Sequence, residues 1–273
     1  MTAPVTDYLM RAAAMLLTGG FGGVLAGLLG IGGGIVIVPV LEAALAFLGV
    51  DAAIRMHVAV ATSLATIIPT SISSARAHHR RNAVDIALVK RWAVFVLIGA
   101  LAGSVFATQV HSRVLSLVFA VTATIIAVKL ILPLDGRVFA RDVPGGTLIK
   151  LVPTGIGAVS SMMGIGGGTL SVATLTLFNQ PIHRAVGTAA LFGLLISVPG
   201  TLGFMFGGLG DPRLPPGNLG YVSVLGFALI APTTWLTAPL GAGIAHRLSQ
   251  RQLSLLFGTF LLLVSARMLW QSW

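Results

Sequence analysis

The chain has 273 residues, of which 56% are hydrophobic and only 9% are charged. Soluble domains carry roughly 25% charged residues, so this composition excludes an ordinary soluble domain. The net charge of +10 lies in short loops between apolar segments, which is typical of membrane topology signals and not of nucleic-acid binding. The absence of cysteine excludes disulfides, thiol catalysis and thiolate metal sites.

Apolar runs follow one another along the chain, and we interpret the first as a membrane segment and not as a signal peptide. Crossing about 30 Å of hydrocarbon takes ~20 helical residues, whereas transmembrane strands would alternate apolar and polar residues, which this chain does not do. Five helices are predicted in each half: 10–30, 34–49, 58–76, 92–110 and 114–132, then 148–164, 168–178, 186–207, 219–244 and 253–271. The predicted fold is an all-α polytopic membrane protein with eight to ten membrane segments.

A cluster of glycines, GIGGG, separates the first two helices of each half. Its residues are Gly30, Gly32, Gly33 and Gly34 in the first copy, and Gly164, Gly166, Gly167 and Gly168 in the second. Because glycine is a poor helix former, each cluster predicts a break that exposes backbone N–H groups and the positive end of the next helix. Such breaks meet near the membrane midplane in transporters and bind anions there. The alternative is that these glycines only permit close helix packing.

The two clusters belong to an internal repeat. Residues 99–119 align without a gap on 237–257, and the segments after the clusters pair Thr62 with Thr188. The chain therefore divides into a first transmembrane repeat over 1–133, a cytoplasmic linker over 134–147 and a second repeat over 148–273. Five segments in each half predict inverted repeats.

The positive-inside rule predicts that the loops 77–91 and 134–147 are cytoplasmic, because twelve of the 17 Lys and Arg residues fall on that side. The rule fits two topologies equally. In one, both termini are external and the repeats are inverted; in the other, each break only kinks a single span, and the termini are inside. The inverted topology is favoured because residues 10–49 are too many for one crossing.

Small hydroxyl groups lie beside the predicted midplane site. They belong to Thr62, Ser63, Ser161 and Thr188, with Ser160 next to them. A hydroxyl can donate a hydrogen bond to an oxyanion, although it can equally bond to the backbone of its own helix. These side chains and the two glycine clusters form the predicted substrate-binding set.

Three ionisable residues are candidates for proton coupling. They are Glu42, which is the one acidic residue inside an apolar run, and the equivalent histidines His57 and His183. Each can instead lie at the membrane interface. The shortage of buried carboxylates argues against a cation or metal transporter, so the expected substrate is a small anion, with no metal and no cofactor.

An intramembrane enzyme is the competing class. A serine protease would need a Gly-x-Ser-x-Gly-like elbow with a membrane histidine, and the segment GAVSSMMG at 157–164 does not supply it. An aspartyl protease would need two intramembrane aspartates, which the sequence lacks. We therefore predict that the chain is not an enzyme.

The twin GIGGG clusters, HHRRNAVD at 78–85 and above all the stretch 214–269 resemble the TauE/SafE sulfite and organosulfonate exporter family over essentially the whole chain. The resemblance implies a bacterial inner-membrane permease of about eight crossings, a secondary transporter of sulfite or sulfonates. The lack of cysteine departs from the thiosulfate-uptake branch, and GTAAL at 187–191 replaces the more usual Gly-Thr-Ser. The expected partners are the substrate anion and the lipid bilayer, with a homodimer left open; an unrelated metabolite is the alternative cargo.

Overall fold

A computed structural model describes residues 5–29, 33–132, 147–245 and 248–271. Its helices are α1 (Val5–Leu29), α2 (Gly34–Phe47), α3 (Ala52–Arg80), α4 (Ile86–Gln109), α5 (Ser112–Ile131), α6 (Leu148–Met163), α7 (Gly168–Leu177), α8 (Ile182–Gly207), α9 (Val224–Ala245) and α10 (Gln250–Gln271). A short antiparallel hairpin, β1 (Asn218–Leu219) with β2 (Val222–Ser223), precedes α9. The prediction of an all-α polytopic membrane fold is confirmed, with this hairpin as an addition.

The observed helix bounds differ from the predicted ones mainly at helix starts. α3 and α4 begin earlier than predicted because Asp51 and Asp85 accept hydrogen bonds from the backbone of their first turns, at 2.9 Å from Ala53 N and 3.0 Å from Leu88 N. The helix predicted over 219–244 was wrong in its first turn. That turn belongs to the hairpin, where Gly220 has a φ of 55° and packs against the backbone of Met205.

Five of the described helices are long and apolar enough to cross a membrane: Ala52–Arg80, Ile86–Gln109, Ser112–Ile131, His183–Gly207 and Arg251–Trp270. The helices that follow the glycine clusters are shorter. α7 has 10 residues and α2 has 14. At 1.5 Å per residue, α7 extends about 15 Å, which is half of a hydrocarbon core of roughly 30 Å.

The helix bundle has two ends, which we name after their loops. At the hairpin end, His57 near the start of α3 stacks on Tyr221 with ring centroids 4.9 Å apart, and α8 ends beside them. At the linker end, α5 ends and α6 begins, and Gly187 near the start of α8 packs against Ala83 just after α3. The helices α3 and α8 are therefore antiparallel neighbours in the centre of the fold.

The chain turns back at the second glycine cluster. α6 packs along α4 with Gly99 against Thr154 and Gly103 against Ala158, so the two helices run in the same direction. Because α4 starts at the linker end, α6 starts there too, and α7 leads back to the start of α8 at that same end. The pair α6 and α7 therefore enters the bundle and returns, and does not form one kinked span.

The first half repeats this arrangement at the other end. α1 packs along α9 in the same direction, with Gly19 against Ile230 and Gly23 against Thr234. Since α9 starts just after the hairpin, α1 comes from the hairpin end, and α2 leads back there to the start of α3. Three helices of each half then run between the two ends. The inverted relation of the repeats in a membrane stays a prediction at this point.

Tight helix packing in this fold depends on glycine, and α6 offers a matched test. A Cβ at Gly157 would overlap the backbone of α4 at Val96 and lie 2.8 Å from Ala100 N, whereas a Cβ at Gly155 would meet nothing within 4 Å. We expect Gly157→Ala to lower the free energy of unfolding by about 1–3 kcal/mol, since overpacking forces the backbone to move. Gly155→Ala should be neutral or slightly stabilising. Thermal unfolding of both purified variants in detergent measures the difference, and equal melting temperatures would contradict the packing.

Candidate functional site

The two glycine breaks touch each other in the interior of the bundle. A Cβ at Gly34, the first residue of α2, would lie 2.6 Å from the carbonyl oxygen of Gly164 and 2.8 Å from Cα of Ile165. A Cβ at Gly164 would in turn lie 3.0 Å from Cα of Val60 in the middle of α3. Clusters that lie far apart in the sequence thus form one region; Gly30 and Gly32 lie outside the described residues.

The backbone at these breaks needs glycine. The φ angles are 76° at Gly33, 70° at Gly164, 61° at Gly166 and 74° at Gly167, all in the left-handed region that other residues rarely adopt. Gly33 precedes α2 and Gly167 precedes α7, and neither provides a side-chain cap. The first N–H groups of α2 and α7, that of Gly168 among them, therefore have no side-chain acceptor at the cap position, which is the condition for anion binding at a helix start.

Two of the predicted hydroxyls are already hydrogen-bonded at the breaks. Ser63 Oγ donates to the carbonyl oxygen of Gly164 at 2.8 Å and so ties α3 to the second break. Ser161 Oγ donates to the carbonyl oxygen of Ala158 at 2.9 Å, within its own helix. Both side chains are buried at this region, and each retains lone pairs but no free O–H donor.

Three other buried hydroxyls flank the second break without a partner. Among the described residues, Ser160 Oγ, Thr169 Oγ1 and Ser171 Oγ have no hydrogen bond to protein. Ser160 lies in the last turn of α6, whereas Thr169 and Ser171 lie at the start of α7. Leaving a buried hydroxyl unpaired costs about 1–3 kcal/mol, so such groups bind water or a ligand.

Sequence reasoning missed Thr169 and Ser171. The signal was present in the alignment of the two GIGGG copies, where the positions after the first copy are Ile35 and Ile37. A change from isoleucine to a hydroxyl residue at equivalent positions of a membrane repeat places extra polar groups on one side of the site. The segment GTAAL at 187–191 is a second place where the halves differ.

Thr62 and Thr188 make equivalent contacts, in which each hydroxyl oxygen accepts a hydrogen bond from a backbone N–H at the start of another helix. Thr62 Oγ1 accepts from the backbone N–H of Ser223 at 3.0 Å, and Thr188 Oγ1 accepts from that of Asp85 at 3.0 Å. Ser223 and Asp85 are equivalent residues at the starts of α9 and α4, and each also caps its own helix. The two threonines therefore tether α3 to α9 and α8 to α4; a role in substrate binding stays a prediction.

Glu42 is buried, and its charge is compensated by two arginines. Oε1 lies 3.4 Å from NH1 of Arg55 on α3, and Oε2 lies 3.3 Å from NH2 of Arg267 on α10. A carboxylate within an apolar helix is costly unless it is paired, and these contacts supply the pairing. The group lies towards the hairpin end, away from the glycine breaks. Its role in proton coupling stays a prediction.

The equivalent histidines lie at opposite ends of the bundle. His57 is buried, and its Nε2 donates to the carbonyl oxygens of Ala107 and Val110 at 3.0 and 3.1 Å, while Nδ1 lies 3.2 Å from Ser112 Oγ. His183 is exposed at the linker end. The histidine His57 thus closes the turn between α4 and α5, and the proposed pair is not brought together in one relay.

A surface cluster beside the hairpin positions the ring that covers His57. Hydrogen bonds from Arg213, the shorter at 2.6 Å, lower the pKa of Asp211 to about 2, and the carboxylate in turn raises the pKa of Arg213. Tyr221 donates to Asp211 at 3.2 Å and stacks on His57. Burial of its ring, with Asp211 nearby, raises the pKa of Tyr221. The carboxylate therefore stays ionised, and the anchor intact, from neutral pH down to strongly acidic pH.

The sequence is similar to a known protein family and to several membrane transporter proteins. A family model described as Sulfite exporter TauE/SafE matches residues 15–268. A probable membrane transporter protein of Haemophilus influenzae is 33% identical over 260 residues, which cover 93% of this chain and 96% of the relative. The probable membrane transporter protein YunE of Bacillus subtilis is 25% identical over 287 residues, 96% of this chain and 98% of the relative. No solved structure matches the chain significantly.

The two tethers yield a prediction on stability. Thr62→Val and Thr188→Val each remove the acceptor of a backbone N–H, so we expect each to lower the free energy of unfolding by about 1–3 kcal/mol. Thr62→Ser and Thr188→Ser keep the acceptor oxygen and serve as controls. Thermal unfolding in detergent measures the effect. If the valine variants unfold at the temperature of the serine variants, the two hydrogen bonds do not hold these helices.

Proposed function

This chain belongs to the sulfite exporter TauE/SafE family, and we propose that it moves small sulfur-containing anions, such as sulfite or organosulfonates, by alternating access. The chain is a multi-pass protein of the plasma membrane and a transporter, since the family and the relatives are named as transporters and not as enzymes. The family name supports the sulfur-containing substrate. The glycine-break region supports an anion in particular.

The observation that carries the proposal is the chemistry where the two breaks meet. The available groups there are donors: the uncapped starts of α2 and α7, and the unpaired hydroxyls of Ser160, Thr169 and Ser171. A sulfonate or sulfite dianion only accepts hydrogen bonds, so it matches a site made of donors. The backbone contacts of the breaks involve glycine and aliphatic residues, and the buried carboxylate of Glu42 is held elsewhere by arginine.

We further propose that the two repeats are inverted and move against each other. Packing of α1 on α9 and of α6 on α4 supports this, because the two contacts are equivalent in the repeat and start from opposite ends. The tethers of Thr62 and Thr188 repeat in the same way. With the linker end in the cytoplasm, both termini are external. The turning helices would then open the break region to one side at a time.

The unpaired hydroxyls give the sharpest test of this site. We expect Ser171→Ala and Thr169→Val to raise the KM for sulfite or sulfoacetate at least about tenfold, since a hydrogen bond to an anion contributes about 1.5–3 kcal/mol. Ser265→Ala is the matched control, because Ser265 Oγ is also buried without a hydrogen-bond partner but lies on α10. Flux into proteoliposomes, with equal amounts of each variant, measures the effect.

The same flux assay tests the class of cargo. Sulfite and sulfoacetate should compete with each other, and sulfate and lactate should compete weakly. If Ser171→Ala and Thr169→Val behave as Ser265→Ala does, the hydroxyls do not bind the substrate. If neither sulfite nor sulfoacetate is carried, the cargo is an unrelated metabolite and the proposed function is wrong.

Two glycine variants distinguish a specific effect at the break from the effect of backbone strain in general. Gly167 and Gly210 both have a positive φ, of 74° and 82°, so alanine is similarly strained at either position. A Cβ at Gly167 would also overlap Ile196 on α8, whereas at Gly210 it would meet nothing within 4 Å. We expect Gly167→Ala to lower sulfite flux at least tenfold at equal membrane levels, and Gly210→Ala to leave it within twofold. Equal loss in both would assign the effect to strain alone.

A further inference from the structure

A second polar region lies at the hairpin end, apart from the glycine breaks. It is a cleft of about 520 Å³ lined by the starts of α3 and α5 and by Glu42 of α2. The polar side chains that line it include Arg55, His111, Arg113 and Ser116. No step of the proposed transport site uses this cleft.

The cleft has a surplus of positive charge. Arg55 and Arg113 line it, and Glu42 is the acidic residue in its lining. A third guanidinium, that of Arg267, lies 3.3 Å from the second carboxylate oxygen of Glu42. Asp51 is close by at the start of α3, where its side chain accepts from Ala53 N at 2.9 Å. The lining itself therefore holds two guanidinium groups and one carboxylate.

The start of α5 also favours an anion as the ligand. The start of α5 opens into the cleft, and its cap residue His111 makes no side-chain hydrogen bond to it, so the positive end of this helix is unneutralised. The Glu42 carboxylate is held by ion pairs with Arg55 and Arg267, so Arg113 is the guanidinium of the lining that it does not pair with.

We propose that this cleft is a second anion site, which takes a small oxyanion of the sulfonate or sulfate type in competition with Glu42. The anion lies between Arg55 and Arg113 at the start of α5, and it accepts from Arg55 in place of the Glu42 carboxylate. Binding in the cleft does not depend on transport. Its place as the external entry of the transport path rests on the proposed function.

The absence of cysteine allows a local measurement. Ser116→Cys introduces a single thiol into the cleft of a chain that has no other cysteine. Leu209→Cys is the matched control, because Leu209 is exposed on the loop after α8 at the same end. The rate of labelling by an anionic methanethiosulfonate is divided by that of a cationic one. We expect this ratio to be at least about tenfold higher at position 116 than at 209, as a positively charged cleft concentrates anions.

Variants then test the named charges. In the Ser116→Cys background, Arg113→Gln should lower the ratio severalfold and Glu42→Gln should raise it, whereas Arg213→Gln, an exposed arginine paired with Asp211, should leave it unchanged. Inorganic sulfate should slow labelling at 116 more than gluconate does at equal ionic strength. Equal ratios at 116 and 209, or no protection by sulfate, would overturn the proposal.

A cysteine-free measurement covers the case in which Ser116→Cys does not fold. Sulfate stabilises folded proteins in general, so the comparison is between variants: it should raise the melting temperature of the unmodified chain and of Arg213→Gln more than that of Arg113→Gln. A sulfate shift of the same size in all three overturns the cleft and leaves the glycine-break site untouched. Conversely, if the Ser171→Ala and Thr169→Val variants lose flux while labelling at position 116 is unchanged, the cleft binds anions independently of the glycine-break site.

Discussion

Irregular backbone inside a membrane must be enclosed by protein, because lipid offers no hydrogen bonds to free N–H and C=O groups. This constraint governs the contact between the two glycine breaks. Gly164, Gly166 and Gly167 are buried, and Gly34 lies against the backbone of Gly164 and Ile165. Each break thus shields the other, together with α3 and α8. A chain with only one such break would leave that backbone without its enclosing partner.

The rest of the bundle keeps the breaks in place. α3 and α8 lie antiparallel at the centre, and Ser63 holds the carbonyl of Gly164. The long helices α4 and α9 begin where Thr188 and Thr62 accept a backbone N–H, so each turning pair packs on a helix that is itself anchored to the centre. Glycine on α1, α4 and α6 brings these backbones close, as small residues do in membrane bundles.

The buried charge of Glu42 lies apart from this interior. The carboxylate of Glu42 is paired with Arg55 and Arg267 towards the hairpin end, and the break region holds donors such as the unpaired hydroxyls of Thr169 and Ser171. The two polar regions are therefore different in kind. In the two proposals, one is a charged cleft that attracts anions from water, and the other is an uncharged region of buried hydroxyls and helix starts that replaces the hydration of an anion.

The sequence by itself determined the fold class and the presence of ten helical segments, because hydrophobic length and glycine clusters act locally; the repeat relation of the two halves is its prediction. It also singled out Ser63, Gly34 and Gly164, which do come together, and Glu42 as the acidic residue inside an apolar run. It did not determine what the hydroxyls contact. Whether Thr62 faces a ligand or a helix start depends on which neighbour packs beside α3. Only the tertiary structure decided that Thr62 and Thr188 are tethers, that His57 and His183 are far apart, and that Thr169 and Ser171 lack partners, because a hydrogen bond between helices depends on positions that are remote in sequence.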